Sequence, residues 1–346
     1  MVTIKEVAKR AGVSVGTVSN VLGGMVTVSP TLRERVNRAI AELDFHPNHV
    51  ARSLKVRQTM MVGMVISDIT NPFFPQLVRG AEDATLERGF LLVTFNTDDN
   101  LEREKRVLSV LRTRRVDGLL LVVAPNAGDT AHIRNTIAAG TPVVCLDRIP
   151  RGIRVSSVSV NGVKSTEMCM RHLLSLGHRR IAIMSGSLGL QTARDRLEGY
   201  RNALKEAKVP YDRKMILEGD FRSETGYLLM KRMWLGGCRP TALFVSNGMM
   251  GLGAMKAIRE LGIRCPEEIA LAMYDDLPEA EVLNPPVTAV AQPAYEMGFR
   301  GAELLLEYLD GTRSADRPVR IELDAELKIR ESTSGSAVAT LRAGPA

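Results

Sequence analysis

The chain has 346 residues, 45% hydrophobic and 25% charged, with a formal net charge of +7, so its composition is that of an ordinary globular protein rather than a disordered or fibrous one. No apolar run approaches the roughly 20 residues that cross a bilayer, and the N-terminus lacks the basic-then-apolar order of a secretory signal, so a cytoplasmic protein is expected. Four scattered cysteines, Cys145, Cys169, Cys238 and Cys265, have no C-x-x-C spacing and exclude a disulfide framework or a zinc site; buried, reduced thiols are expected.

The charge is uneven along the chain. Residues 1–59 carry nine Lys/Arg against four acids, an excess of 9 − 4 = +5, which leaves 7 − 5 = +2 for the other 287. A basic head on a nearly neutral body suggests a polyanionic partner for the head.

The head opens with "TIKEVAKRAGVSVGTVSNVL" at 3–22. Thr3 and Glu6 have capping-box spacing, so a helix is predicted from Ile4, burying Ile4, Val7, Ala8 and Ala11. Gly12 ends it in a left-handed corner, and Ser14 caps a second helix through Leu22 with Val18, Val21 and Leu22 inward. This is helix-turn-helix logic: small Ala8 permits a close crossing and Val18 fills the gap. Val15, Gly16, Thr17, Ser19 and Asn20 are left facing outward, small or hydroxyl-bearing residues that suit close approach to DNA; a hairpin that merely packs is the competing reading.

A third helix is predicted from Pro30 with Ser29 as its cap and Leu32, Val36, Ile40 and Leu43 closing the core. "PNHVARSLKVRQT" follows. Asn48 through Lys55 span about two helical turns, too few to be stable alone. Apolar Leu54 among Arg52, Lys55 and Arg57 has the composition of a minor-groove wedge with phosphate-binding neighbours; a plain basic linker is the alternative.

Beyond residue 60 the apolar runs "MVGMVIS", "FLLVTF", "GLLLVV" and "PVVCL" alternate with helical patterns near 75–88, 101–113 and 129–138. The alternation restarts with "RIAIMSG", "TALFVS" and "IALAMYD". Continuous Val/Ile/Leu strands between helices predict an α/β body of two doubly wound parallel-sheet lobes.

These segments resemble the lactose-repressor (LacI/GalR) family. The head matches its T-I-x-x-V-A-x-x-A-G-V-S-x-x-T-V-S-x-V-L pattern, and P-N-x-x-A-R-S-L matches its hinge helix. The body matches through "NPFF" at 71–74, "RRVDGLLL" at 114–121, "GTPVV" at 140–144, "LGHRRIA" at 176–182, "RLEGY" at 196–200 and "YDD" at 274–276. The resemblance implies a helix-turn-helix domain at 1–46, a hinge at 47–59, a periplasmic-binding-protein-like effector-binding and dimerisation domain at 60–330, and a flexible tail at 331–346. It implies a homodimeric transcriptional regulator, in all expectation a repressor, on a palindromic double-stranded operator, controlled by a small-molecule effector, with no cofactor, metal or membrane partner. The DNA-contact set it implies is Thr3, Ser14, Val15, Gly16, Thr17, Ser19, Asn20, Asn48, Arg52 and Leu54.

For the effector, the resemblance points to Phe73, Phe74, Asp147, Arg148, Arg194, Arg196, Phe221, Asn247 and Gln292; for the two phenylalanines, core packing is the alternative. Asn247-Gly248 stands where the family usually reads N-D, and Val160-Asn161 where it often has an acid. With Arg148, Arg194 and Arg196 in the cleft and an acid missing, an anionic effector such as a sugar acid, sugar phosphate or carboxylate is expected.

An enzyme and a stand-alone solute-binding protein are the rival classes. "GMMGLG" at 248–253 lacks dinucleotide-fingerprint spacing, no phosphate-loop motif occurs, and the five histidines show no metal-ligand spacing, His172 and His178 flanking a helix end. A solute-binding protein would lack the basic head and carry a secretion signal. The tail has no leucine heptads, so a dimer rather than a tail-mediated tetramer is expected.

Overall fold

The computed structural model describes residues 2–22, 28–45, 58–125 and 128–334. The chain divides into two compact units, residues 1–59 and 60–346. The expected hinge contacts Asn48, Arg52 and Leu54 lie outside the described residues.

In the first unit, helices α1 (Ile4–Ala11), α2 (Val15–Leu22) and α3 (Pro30–Glu42) enclose Val7, Ala8, Ala11, Val18, Val21, Val36, Ala39 and Phe45. The capping box forms: Thr3 N donates to Glu6 Oε2 at 2.6 Å, and Glu6 N donates to Thr3 Oγ1 at 3.4 Å. That bonding holds the Glu6 carboxyl below its ordinary range, the backbone N–H of Thr3 being the largest cause. Gly12 turns the corner at φ +64°. Ser14 Oγ accepts from Thr17 N at 3.1 Å, the N-cap of α2. Two expectations need correction. Ser29 occupies the cap position of α3 but its hydroxyl makes no cap bond, so Pro30 supplies the start. Ile4 and Leu22 are half-buried rather than buried, flanking a core too small to cover them.

The second unit carries two six-stranded sheets. In order along the chain its elements are β1 (Met61–Ile66), α4 (Phe73–Glu87), β2 (Leu91–Asn96), α5 (Leu101–Thr113), β3 (Gly118–Leu121), α6 (Ala131–Ala138), β4 (Val143–Leu146) and β5 (Ser156–Val160). Then come α7 (Gly162–Ser175), β6 (Ile181–Ser185), α8 (Gln191–Glu206), β7 (Ile216–Glu218), α9 (Ser223–Leu235), β8 (Ala242–Val245), α10 (Gly248–Glu260), β9 (Ala270–Tyr274) and β10 (Thr288–Ala291). The chain closes with α11 (Ala294–Leu309), β11 (Arg320–Leu323) and β12 (Glu326–Lys328).

The first sheet runs β11-β5-β4-β3-β1-β2 and the second β12-β10-β9-β8-β6-β7, all parallel except β12 against β10. Chain order therefore passes between the lobes three times, at 160–162, 291–294 and 323–326. Returning helix α11 seats Met297, Leu304 and Leu305 in the core of the first lobe. The inner strands are buried except at their ends, as a sheet covered on both faces requires, whereas β2 is an edge strand with Leu91 exposed.

The glycines of "GMMGLG" serve packing. A side chain at Gly253 would come within 1.9 Å of the Ser223 carbonyl oxygen, so α9 and α10 cross here backbone to backbone. Burial raises the thiols of Cys145 and Cys169, the latter to about 12, and all four cysteines are free. Residues 331–334, expected in the tail, are structured: Glu331–Thr333 form a 3-10 turn, and buried Ser332 donates to Leu271 O at 2.6 Å while accepting from Thr288 N at 2.9 Å. No helix among the described residues is long and apolar enough to cross a membrane.

Candidate DNA-reading helix and ligand cleft

On α2, Ser14, Val15, Gly16, Ser19 and Asn20 are exposed and Thr17 is half-buried, while Val18 is fully buried. The exposed residues form the outward face that the helical period dictates. Ser14 and Thr17 hydroxyls bond each other at 2.9 Å, and the Thr3 hydroxyl donates to Glu6 at 2.9 Å, so these three groups first fix the helix starts. Arg35 was not anticipated: its Nη2 donates to Ala11 O at 2.7 Å and to Gly12 O at 3.3 Å, fastening α3 to the turn. That role depends on a contact 24 residues away and leaves no local pattern.

In the second unit, both sheets have the same strand order, with the order reversing between β1 and β3 and again between β6 and β8. Ligands of such sheets bind at the carboxyl ends of the strands near that reversal. The residues just past those ends converge there. Ser67 and Asp68 follow β1, Asp98 and Asp99 follow β2, and Asp147 and Arg148 follow β4. From the other lobe come Asp220, Phe221 and Arg222 after β7, Asn247 after β8, Asp275 after β9 and Gln292 after β10, with Thr192 and Arg196 on α8. Phe73 and Phe74 open α4 at the wall, edge-to-face at 5.1 Å and themselves largely buried.

Five of these residues, Asp98, Asp99, Asp147, Phe221 and Asp275, sit at positive φ of 54°, 57°, 61°, 69° and 69°. For Phe that conformation is costly, and backbone strain of this kind collects at ligand sites. The Phe221 ring lies on Gly186, where an added Cβ would come within 2.1 Å of it. Asn247 caps α10 by accepting from Met250 N at 3.0 Å and donates to Phe221 O at 2.9 Å, so it braces the aromatic wall.

Eight of the nine expected contacts, Phe73, Phe74, Asp147, Arg148, Arg196, Phe221, Asn247 and Gln292, line this one compartment. Arg194 does not. It lines a neighbouring compartment and donates to Leu188 O at 2.7 Å.

The electrostatics also differ from expectation. Six aspartates (Asp68, Asp98, Asp99, Asp147, Asp220, Asp275) face three arginines (Arg148, Arg196, Arg222) in the main compartment. Arg148 is buried and ion-paired with Asp99, and its Nε lies 3.6 Å from Asp147. Buried Arg196 donates to Ser246 O at 2.6 Å and stacks 3.7 Å over the Tyr274 ring. Asp275 lies beside Gly248: its Oδ2 is 3.5 Å from Gly248 N and its Oδ1 accepts from Gln292 at 2.6 Å. Arg148 and Arg196 therefore do not stand free for an anion; the main compartment offers acceptors for hydroxyls, two fixed guanidiniums and aromatic walls.

Burial raises the Asp147 carboxyl above its ordinary value, against the pull of Arg148 and Arg196. For Asp99 burial pushes upward most, yet Arg148 beside it, with Ser67 and Arg222, brings the carboxyl below its ordinary value. The free space is about 50 Å³, a few waters' worth where a void of roughly 10–15 Å³ already holds one.

Of the lining residues, Asp68, Asp98, Asp99, Asp220, Arg222, Asp275, Ser67 and Thr192 were not singled out from sequence. The strand-end rule alone would have marked "SD", "TDD", "GD" and "YD" as cleft residues.

A helix-turn-helix unit and a two-lobed ligand-binding unit in one chain define a ligand-controlled DNA-binding regulator. Residues 3–48 match the bacterial regulatory proteins of the lacI family, and residues 170–333 match the periplasmic binding protein-like domain. The HTH-type transcriptional repressor PurR of Haemophilus influenzae (strain PittEE) is 34% identical over 333 residues, 96% of this chain and 98% of that protein. The ribose operon repressor of Haemophilus influenzae (strain ATCC 51907 / DSM 11121 / KW20 / Rd) is 34% identical over 323 residues, 93% of this chain and 96% of its own. Among solved structures, the Lac repressor dimer bound to operator and an anti-inducer matches with TM-score 0.85 at 30% identity, covering 96% of this chain and 99% of that one. The transcriptional regulator CelR in complex with cellobiose matches with TM-score 0.73 at 35% identity, covering 96% and 100%. The chain belongs to the lacI family of bacterial regulatory proteins and is a DNA-binding transcriptional regulator.

Proposed function

We propose that this protein is a cytoplasmic repressor that binds a palindromic operator as a homodimer and acts by binding alone, without catalysis. Its affinity for DNA is set by a polyhydroxylated small molecule, a sugar, in the cleft between the lobes. The observation that carries the ligand class is the excess of carboxylate acceptors over arginines in the main compartment, beside aromatic Phe221. Hydroxyl groups donate to carboxylates and accept from guanidiniums, whereas a free anion meets net repulsion.

On the DNA side, α2 is the recognition helix, with Val15, Gly16, Ser19 and Asn20 toward the bases and Ser14, Thr17 and Thr3 near phosphates. Val15 and Gly16 offer little hydrogen bonding, so Asn20 carries most base discrimination from this helix. Asn48, Arg52 and Leu54 form the hinge contacts, Leu54 as a minor-groove wedge. Dimerisation uses the exposed edge strands and their flanking helices, where Leu86, Leu91, Val110, Leu228 and Leu235 stand out. Support comes from relatives described as repressors and from the Lac repressor solved as a dimer on its operator.

The test is selection of bound sequences from random DNA by the full-length protein at two salt concentrations. A palindrome that remains enriched at higher salt is expected; sequence-blind, salt-sensitive binding would overturn the proposal.

A further inference from the structure

Next to the main compartment lies a second one of about 160 Å³, and Arg148 is part of both linings. Its character is opposite. Among the described residues no aspartate or glutamate lines it, while Arg148, Arg151 and Arg194 do. Apolar Leu190, Ile149 and Pro150 complete the walls.

The two further arginines come from elements that the ligand must bridge. Arg151 follows β4 in the first lobe and Arg194 lies on α8 in the second. Among the described residues no carboxylate lies within ion-pair distance of either. Asp195, next to Arg194 in sequence, turns instead to Gln191, which donates to it at 3.1 Å, and Gln191 also accepts from Ile149 N at 3.1 Å. Arg194 spends one nitrogen on Leu188 O. Burial, and then Arg151 beside it, lower the proton affinity of Arg194. Two guanidiniums lining one compartment without a counter-charge favour an anion there.

We propose, building on the sugar reading above, that the effector is a phosphorylated sugar: the polyol occupies the carboxylate-rich compartment and its phosphoryl group the compartment of Arg151 and Arg194. Several guanidinium donors match the oxygens of a phosphate ester better than a single carboxylate would, and Arg148 forms the wall between the two halves of the ligand. Bound phosphate would join the lobes through one residue from each, so the anion would favour closure as well as affinity.

The test is calorimetry on the full-length protein with matched pairs: ribose and ribose 5-phosphate, glucose and glucose 6-phosphate, fructose and fructose 6-phosphate, with inorganic phosphate as a separate arm. One ester is expected to bind about tenfold or more tightly than its parent sugar. Arg151→Gln, at an exposed position, is expected to reduce that gain, and the double change with Arg194→Gln to abolish it. A parent sugar that binds as well as its ester overturns the phosphoryl site while leaving the sugar reading intact. Inorganic phosphate binding as tightly as any ester overturns the ester assignment. If neither sugars nor esters bind, the sugar reading fails and this inference with it.

Discussion

The guanidinium of Arg196 lies 3.7 Å over the ring of Tyr274, whose hydroxyl bonds Ser165 Oγ at 2.6 Å. The stack and the bond to Ser246 O fix the planar group before any ligand arrives, so its remaining donors are aimed without further ordering cost. Lysine can neither stack in this way nor present a fork of donors. Arg196→Lys is therefore expected to weaken effector binding by about 1.5–3 kcal/mol, roughly 10- to 100-fold, with DNA affinity in the absence of effector unchanged. Calorimetry and a DNA titration on the same preparation separate the two effects.

Asp99 and Arg148 form a mostly buried pair across two strand ends of one lobe. Removing one partner of such a pair leaves the other desolvated and unpaired, at a cost of about 3 kcal/mol or more. Asp99→Ala and Arg148→Met are each expected to destabilise the second unit, the first by orphaning buried Arg148 and the second by leaving Asp99 and Asp147 without its guanidinium, while the double variant loses less than the sum of the two. Urea unfolding of the three variants checks this; strictly additive losses would mean that the pair contributes only packing.

Asp147 gives a pH signature. Burial raises its folded carboxyl above the value of about 3.8 that it has when unfolded. Between those two values the native state binds more protons than the unfolded state, so the Asp147 contribution lowers stability as pH rises through the window and leaves a constant penalty above it. Asp147→Asn removes that penalty. The variant is expected to be more stable than the parent at neutral pH, with the difference closing toward pH 4, and to bind effector less tightly because an acceptor is lost. Thermal midpoints across pH 4 to 8 that stay parallel would exclude this role.

In the head, Gly12 sits at φ +64°, and a Cβ there would come 2.6 Å from Arg35 Nη2. Alanine would take on left-handed strain of about 1–2 kcal/mol and push Arg35 away from the Ala11 carbonyl. Gly12→Ala is expected to speed amide exchange in α1 and α2 by roughly 5- to 30-fold while the second unit is unaffected. Exchange followed by mass spectrometry separates the two units.

The helix-turn-helix was readable because its determinants are local: Thr3 with Glu6, Gly12, Ser14 and Val18 all act within a few residues. Arg35 acts across 24 residues and left no such mark. In the body, apolar runs located the strands, and the family resemblance located Phe73, Asp147, Arg196, Phe221 and Gln292 in one cleft. Arg194, two residues before Arg196 and therefore about 200° around the helix, lines the neighbouring compartment instead. The resemblance also took the arginines as free, because Asp99 meets Arg148 only when β2 and β4 bring distant segments together. Asp275 reaches Gly248 N in the same non-local way.

Ligand in the cleft is expected to change the protein's affinity for DNA. The most direct measurement of that change is the operator affinity of the full-length protein, on the palindrome enriched from random DNA, with and without a cleft ligand found by calorimetry. A change of about 5- to 150-fold is predicted, the range of a coupling of roughly 1–3 kcal/mol, and it should be lost in Arg196→Lys at the same ligand concentration. An operator affinity that stays the same when the cleft is saturated would contradict the account.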